Sequence, residues 1–122
     1  MKYTGTDKNV VVPNGVTRIG AEAFKENHIV TSVTLPESVT AISDNAFYQC
    51  SFLTSINLEH VTSIDDYAFY YCYSLESVTL SNNLDKLGIY SFAYSGLTTI
   101  SIPKSITSIP NGTFFIQILL IW

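Results

Sequence analysis

The stretch Thr62–Leu80, "TSIDDYAFYYCYSLESVTL", decides the fold, because the chain writes almost the same phrase again and again. Upstream stand "TAISDNAFYQCSFLTSINL", Thr40–Leu58, and "TRIGAEAFKENHIVTSVTL", Thr17–Leu35. Downstream come "DKLGIYSFAYSGLTTISI", Asp85–Ile102, and a damaged copy, "TSIPNGTFFIQILLIW", Thr107–Trp122. A Phe stands at the centre of each phrase, at 24, 47, 69, 92 and 114, so the steps are 23, 22, 23 and 22 residues. A fixed period of this size predicts a stacked-repeat architecture.

One unit can be read residue by residue. Val33 and Leu35 alternate with Thr34, the period of a half-buried strand rich in β-branched residues. Pro36 ends it, because Pro has no N–H for a ladder. Val39 and Ile42 follow at a spacing of three, then the cap and turn formers Ser43, Asp44 and Asn45 ahead of Ala46 and Phe47. This segment reads as a single helical or 3-10 turn on the outside of the coil, and Leu53 leads into the next strand. The strands expected are Ser32–Leu35, Ser55–Leu58, Ser77–Leu80 and Thr99–Ile102, all in one sheet.

No unit can bury its own apolar face, so the coils stack their residues in columns. Val33, Ile56, Val78 and Ile100 form one, and Leu35, Leu58, Leu80 and Ile102 a second. Ile19, Ile42, Ile64, Leu87 and Ile109 form a third, and the Phe residues a fourth. At about 4.8 Å per coil, the columns account for the hydrophobic content without a ligand pocket. The units divide the chain into a lead-in, residues 1–9, about five coils over 10–114, and an atypical apolar end, 115–122.

The chain has 122 residues, enough for one domain. Charged residues make up only 13% against about 25% in typical soluble domains. That excludes disorder and charge-laced helices. The six Lys and Arg are scattered in a chain of net charge −4, which argues against nucleic acid and anionic membrane surfaces. The first fifteen residues, "MKYTGTDKNVVVPNG", hold no apolar core of a signal peptide. The nine-residue run Phe114–Trp122 is far shorter than the roughly 20 residues of a membrane-spanning helix.

The phrase LxxIxLPxxLxxIxxxAFxxC resembles the BspA-like leucine-rich repeats, as in "LTSINLEHVTSIDDYAFYYC", Leu53–Cys72, and "VTSVTLPESVTAISDNAFYQC", Val30–Cys50. The resemblance covers roughly residues 10–114, in five registers. It implies an α/β repeat solenoid: a right-handed superhelix with a concave parallel sheet and short turns on the convex side. It also implies surface adhesion and protein recognition, in an extracellular or cell-surface setting. Two coils are one residue short, near Glu59–His60 and within Ala93–Gly96, both where coils bend. After Phe114 the expected Cys, Leu and strand are missing. The outer edge of Thr99–Ile102 beside this apolar tail is therefore a candidate for self-association.

Candidate chemistry is sparse. Cys50 and Cys72 both lie three residues after their Phe, in a column with Asn27, Ser95 and Gln117. That column suits small buried donors and free thiols, with a disulfide between neighbouring coils as the alternative. His28 and His60 occupy different positions of different repeats, so neither a metal site nor a triad is expected. Asp65 and Asp66 look like a metal-binding pair but fall where turns and caps are expected. No catalytic, metal-binding or cofactor-binding residue is therefore assigned, and no cofactor is expected.

Two surfaces remain. The outward strand positions Ser32, Thr34, Ser55, Asn57, Ser77, Thr79, Thr99 and Ser101 form a hydroxyl-rich concave ladder. They suit either a solvated sheet or a face for a protein or glycan. Tyr48, Tyr70, Tyr71, Tyr73 and Tyr94 form a candidate convex aromatic strip, or plain packing between turns. The expectation is a non-enzymatic binding module. The alternatives are a structural piece of a longer array and a polysaccharide-active β-solenoid enzyme, whose cluster of Asp, Lys or Arg on one sheet face this ladder lacks.

Overall fold

The computed structural model describes residues 2–115 and the backbone of 119–121. Within them the chain forms short strands: β1 (Asn9–Val11), β2 (Arg18–Ile19), β3 (Ser32–Thr34), β4 (Ala41–Ile42), β5 (Ser55–Ile56), β6 (Ser63–Ile64), β7 (Lys86–Leu87), β8 (Thr99–Ser101) and β9 (Leu119–Ile121). They pair in parallel, coil upon coil, in three sheets: β1-β3-β5, β2-β4-β6-β7 and β8-β9. Among the described residues there is no helix.

The registers match the columns of the sequence. Val10 pairs with Val33 and Val33 with Ile56 in the first sheet. Ile19, Ile42, Ile64 and Leu87 pair in turn in the second. Phe24, Phe47, Phe69 and Phe92 are buried in parallel stacks with ring centroids 4.9, 5.1 and 5.0 Å apart. The spacing of the rings is that of the backbone ladder. Phe114 extends the stack more loosely, 5.9 Å from Phe92. At the other end Tyr3 lies 5.0 Å from Phe24 and donates its N–H to the Ala23 carbonyl at 2.7 Å. Tyr3 thus takes the place of a Phe one coil earlier.

Four expectations are corrected. First, the turns are not helical. Each has two residues at positive φ four positions apart: Glu22 and Glu26, Asn45 and Gln49, Tyr67 and Tyr71, Tyr90 and Tyr94, all between 54° and 61°. Each turn is a pair of β-turns, as in Ala46 N–H to Ser43 O (3.1 Å) and Cys50 N–H to Phe47 O (3.1 Å). The intervening N–H groups point along the stack to the next coil, as in Phe47 N–H to Ala68 O (2.8 Å) and Gln49 N–H to Tyr70 O (2.7 Å). A helix would turn those donors back on its own chain, whereas this backbone divides them between its own turn and its neighbour.

Second, the strands do not share one sheet. Residues 77–80 form no strand, and β8 pairs with β9 instead. The coil containing β5 runs from Ile56 to Ile64 in eight residues where Val33–Ile42 and Val78–Leu87 take nine. The shorter arc leaves the second sheet in register, with Ile42 opposite Ile64 and Ile64 opposite Leu87, while Val78 is only partly buried. Third, Ala41–Ile42 and its equivalents form a second parallel sheet. Fourth, the tail does contribute a strand: β9 covers the outer edge of β8, with Ile100 opposite Leu120. The edge expected to be open is paired.

Candidate functional site

The hydroxyl ladder is real only in part. Thr34, Ser55, Ser77, Thr79, Thr99 and Ser101 are exposed, while Ser32 and Asn57 are half-buried. Ser32 Oγ donates to Asn9 Oδ1 at 2.7 Å. Asn57 donates its amide to Leu35 O at 2.9 Å and accepts the Leu35 N–H at 2.7 Å. Its side chain continues the ladder past Ile56, so Asn57 holds the coil rather than a ligand. The registers bring Ser32, Thr34 and Ser55 together. Ser77 and Thr79 lie outside the sheet. Depressions open on this face, one lined by Thr34, Ser55, Asn57 and Glu59 and another by Thr79, Asn82, Ser101 and Pro103. Glu59, Asn82 and Pro103 were not picked from the sequence, because they follow the strands rather than alternating within them.

The tyrosines pack against one another on the turn face. Tyr48 stacks on Tyr70 at 5.1 Å and Tyr71 on Tyr94 at 4.6 Å, while Tyr70 and Tyr71 meet edge to face at 4.6 Å. Tyr73 projects furthest, 57% exposed, and contacts Tyr71. Tyr67 and Tyr90, which cluster with these tyrosines in the sequence, stack at 5.4 Å, and Phe115 packs against Tyr94. Burial, then the neighbouring phenols, push the Tyr70 hydroxyl above its ordinary pKa. Tyr70 therefore stays a neutral phenol at physiological pH.

Cys50 and Cys72 are buried free thiols. Each donates to the Phe carbonyl of the preceding coil, Cys50 Sγ to Phe24 O at 2.9 Å and Cys72 Sγ to Phe47 O at 3.2 Å. Burial pushes the Cys50 thiol up to about 12 and Cys72 well above its ordinary value. Neither is poised as a nucleophile. His28 faces the exposed Phe52 ring at 6.4 Å, and His60 is 3.9 Å from Glu37 in an exposed pair. Asp66 accepts the Ile89 N–H at 3.0 Å, and Asp65 pairs with Lys86 at 2.9 Å, so both acids have structural work. Among the described residues no three potential ligands gather for a metal. Among them there is no helix long and apolar enough to cross a membrane.

The sequence profile of the BspA type leucine-rich repeat region matches residues 2–119 in six copies. The chain belongs to this family. Solved leucine-rich repeat proteins share the coil. A leucine-rich repeat protein from Bacteroides ovatus superposes with a TM-score of 0.83 at 31% identity, over 87% of this chain and 30% of its own. A leucine-rich cell surface protein from Faecalibacterium prausnitzii gives 0.77 at 29%, over 98% of this chain and 37% of its own. The T. pallidum leucine-rich repeat protein gives 0.72 at 25%, over 93% and 67%. This BspA-type chain thus spans about a third of the length of the first two. No curated protein matches it.

Proposed function

We propose that this chain is a non-enzymatic recognition module that binds a protein through the strand face of a right-handed solenoid, in a surface-exposed setting. The observation that carries the reading is the exposed, nearly uncharged row Thr34, Ser55, Ser77, Thr79, Thr99 and Ser101, which offers hydroxyls across several coils. Such a row matches backbone and amide groups of a partner at little desolvation cost. The cell-surface description of the Faecalibacterium prausnitzii relative supports the setting. A purely structural role is the second reading, favoured by the 30% and 37% shares of the longer relatives.

The test is surface plasmon resonance of the chain against a panel of purified secreted proteins and soluble glycans. The triple variant Thr34→Glu, Thr79→Glu, Ser101→Glu is run in parallel. Saturable binding to a protein, weakened at least about tenfold in the variant, is expected. A tenfold loss corresponds to about 1.4 kcal/mol. Binding that the variant retains would move the site off this face. A chain that binds nothing in the panel would favour the structural role.

A further inference from the structure

The outward positions of the turns form a grid whose chemistry changes along the stack. The first turn presents Glu22, Lys25 and Glu26, the second Asn45, Tyr48 and Gln49, the third Tyr67, Tyr70 and Tyr71, and the fourth Tyr90, Ala93 and Tyr94. The middle column is therefore Lys25, Tyr48, Tyr70, Ala93. Lys25 Nζ lies 5.5 Å from the Tyr48 ring centre, and Tyr48 stacks on Tyr70. The column starts with a cation on an aromatic face, the one such contact among the described residues.

At its other end the column runs out of rings. Ala93 gives Tyr70 no aromatic neighbour on that side. Two perpendicular rings flank the place instead, Tyr94 at 5.5 Å and 84° and Tyr90 at 6.4 Å and 71°. Phe115 closes the circle, 5.5 Å from Tyr94 and 6.4 Å from Tyr90. Tyr70, Tyr90 and Tyr94 are half-buried, so the rim of this circle offers aromatic surface from more than one ring. Ala93 is itself buried, so the rings close over it and the rim is the contact. The charges on these two turns are the carboxylates Asp65 and Asp66, and the neighbouring cation Lys86 is already held by Asp65.

We propose that this tyrosine end of the turn face docks a cationic side chain of a partner polypeptide at the rim formed by Tyr70, Tyr90 and Tyr94. Arg fits better than Lys, because a planar guanidinium stacks on rings and is weakly hydrated. The site is separate from the strand face, so either surface can fail without the other.

The second turn supplies the test variants. Tyr90→Asn and Tyr94→Gln install the residues that Asn45 and Gln49 already place at positive φ, so the backbone is kept and the rings are lost. Tyr94→Phe keeps the ring face. An Arg-Gly octapeptide, its Lys-Gly and Glu-Gly counterparts, and a neutral oligosaccharide are titrated against the full chain by tyrosine fluorescence and NMR. Circular dichroism checks each fold. The expected order is Arg above Lys, with no binding of Glu-Gly or the oligosaccharide. Tyr90→Asn with Tyr94→Gln should weaken Arg-Gly about fivefold or more, and Tyr94→Phe should bind as the parent does. Equal binding of Glu-Gly or the oligosaccharide overturns the proposal. So does indifference to the double variant in a folded chain, or peptide-independent association of copies that the double variant abolishes.

Discussion

Ser91 is the residue at which the repeat breaks its own rule. Its column holds Ala23, Ala46, Ala68 and Thr113, all buried, and Thr113 donates to Pro110 O at 2.9 Å. Among the described residues, Ser91 Oγ is buried with no partner. An unsatisfied hydroxyl costs about 1–3 kcal/mol. Ser91→Ala is therefore expected to raise the unfolding free energy by about 1 kcal/mol in urea, and a lowered midpoint would show that Oγ has a partner. The thiols give a pH signature. Because burial raises the folded pKa of Cys50 from 9.0 to about 12, the stability it adds is intact below pH 9 and is lost as pH rises toward 12. The urea midpoint of the parent should fall over that window more steeply than that of Cys50→Ala. Parallel profiles would mean that the thiol is not buried. Both Cys should also resist a thiol reagent until the chain is denatured.

The elements were legible in proportion to their length. Val33 and Leu35 around Thr34 announced a strand, and the columns of Phe and Ile gave the registers. Ala41–Ile42 gave nothing, since two residues cannot display a period of two. The turns misled for a different reason. Ser43-Asp44-Asn45 is also how a helix starts, and only the backbone reveals that Asn45 and Gln49 adopt positive φ. Glu, Gln and Tyr in that conformation are costly in isolation, by roughly 1–2 kcal/mol, and the inter-coil hydrogen bonds of the turns offset the strain. The strand face was legible as alternation, but the role of Asn57 depends on a contact with Leu35 that only the stacked coils create. At Gly88 the second sheet meets the turn ladder, and an added Cβ would run into the backbone of Asp65 and Asp66. Gly88→Ala should therefore cost about 1–3 kcal/mol, the range for overpacking against rigid atoms. A melting temperature equal to the parent's would show that the coils can part there.

At the scale of the molecule, stability is a sum of coils and the interfaces between them. The central Phe amides donate to neighbouring coils, Phe47 N–H to Ala68 O at 2.8 Å and Phe69 N–H to Ser91 O at 2.7 Å. Hydrogen exchange should be slowest at Phe47 and Phe69 and faster toward Tyr3, which a backbone hydrogen bond to Ala23 and a tilted contact with Phe24 tie to the stack. Uniform protection from Tyr3 to Phe92 would instead indicate a single all-or-none unit. With β9 paired on the edge of β8, the strand edge first expected to be open for association of copies is covered.

The turn ladder runs unbroken from Tyr3 to Phe115, while the first sheet stops after β5 and pairing on that side resumes only at β8. In mechanical terms the molecule is a strip laminated firmly along one margin and loosely along the other. Pulled or bent along its axis, it gives way first on the strand side around residues 77–80, and the Phe stack acts as the spine of the hinge. Flexing therefore changes the spacing of the strand-face hydroxyls while leaving the tyrosine grid nearly rigid. A partner gripping the first surface feels the curvature of the array, and one gripping the second does not.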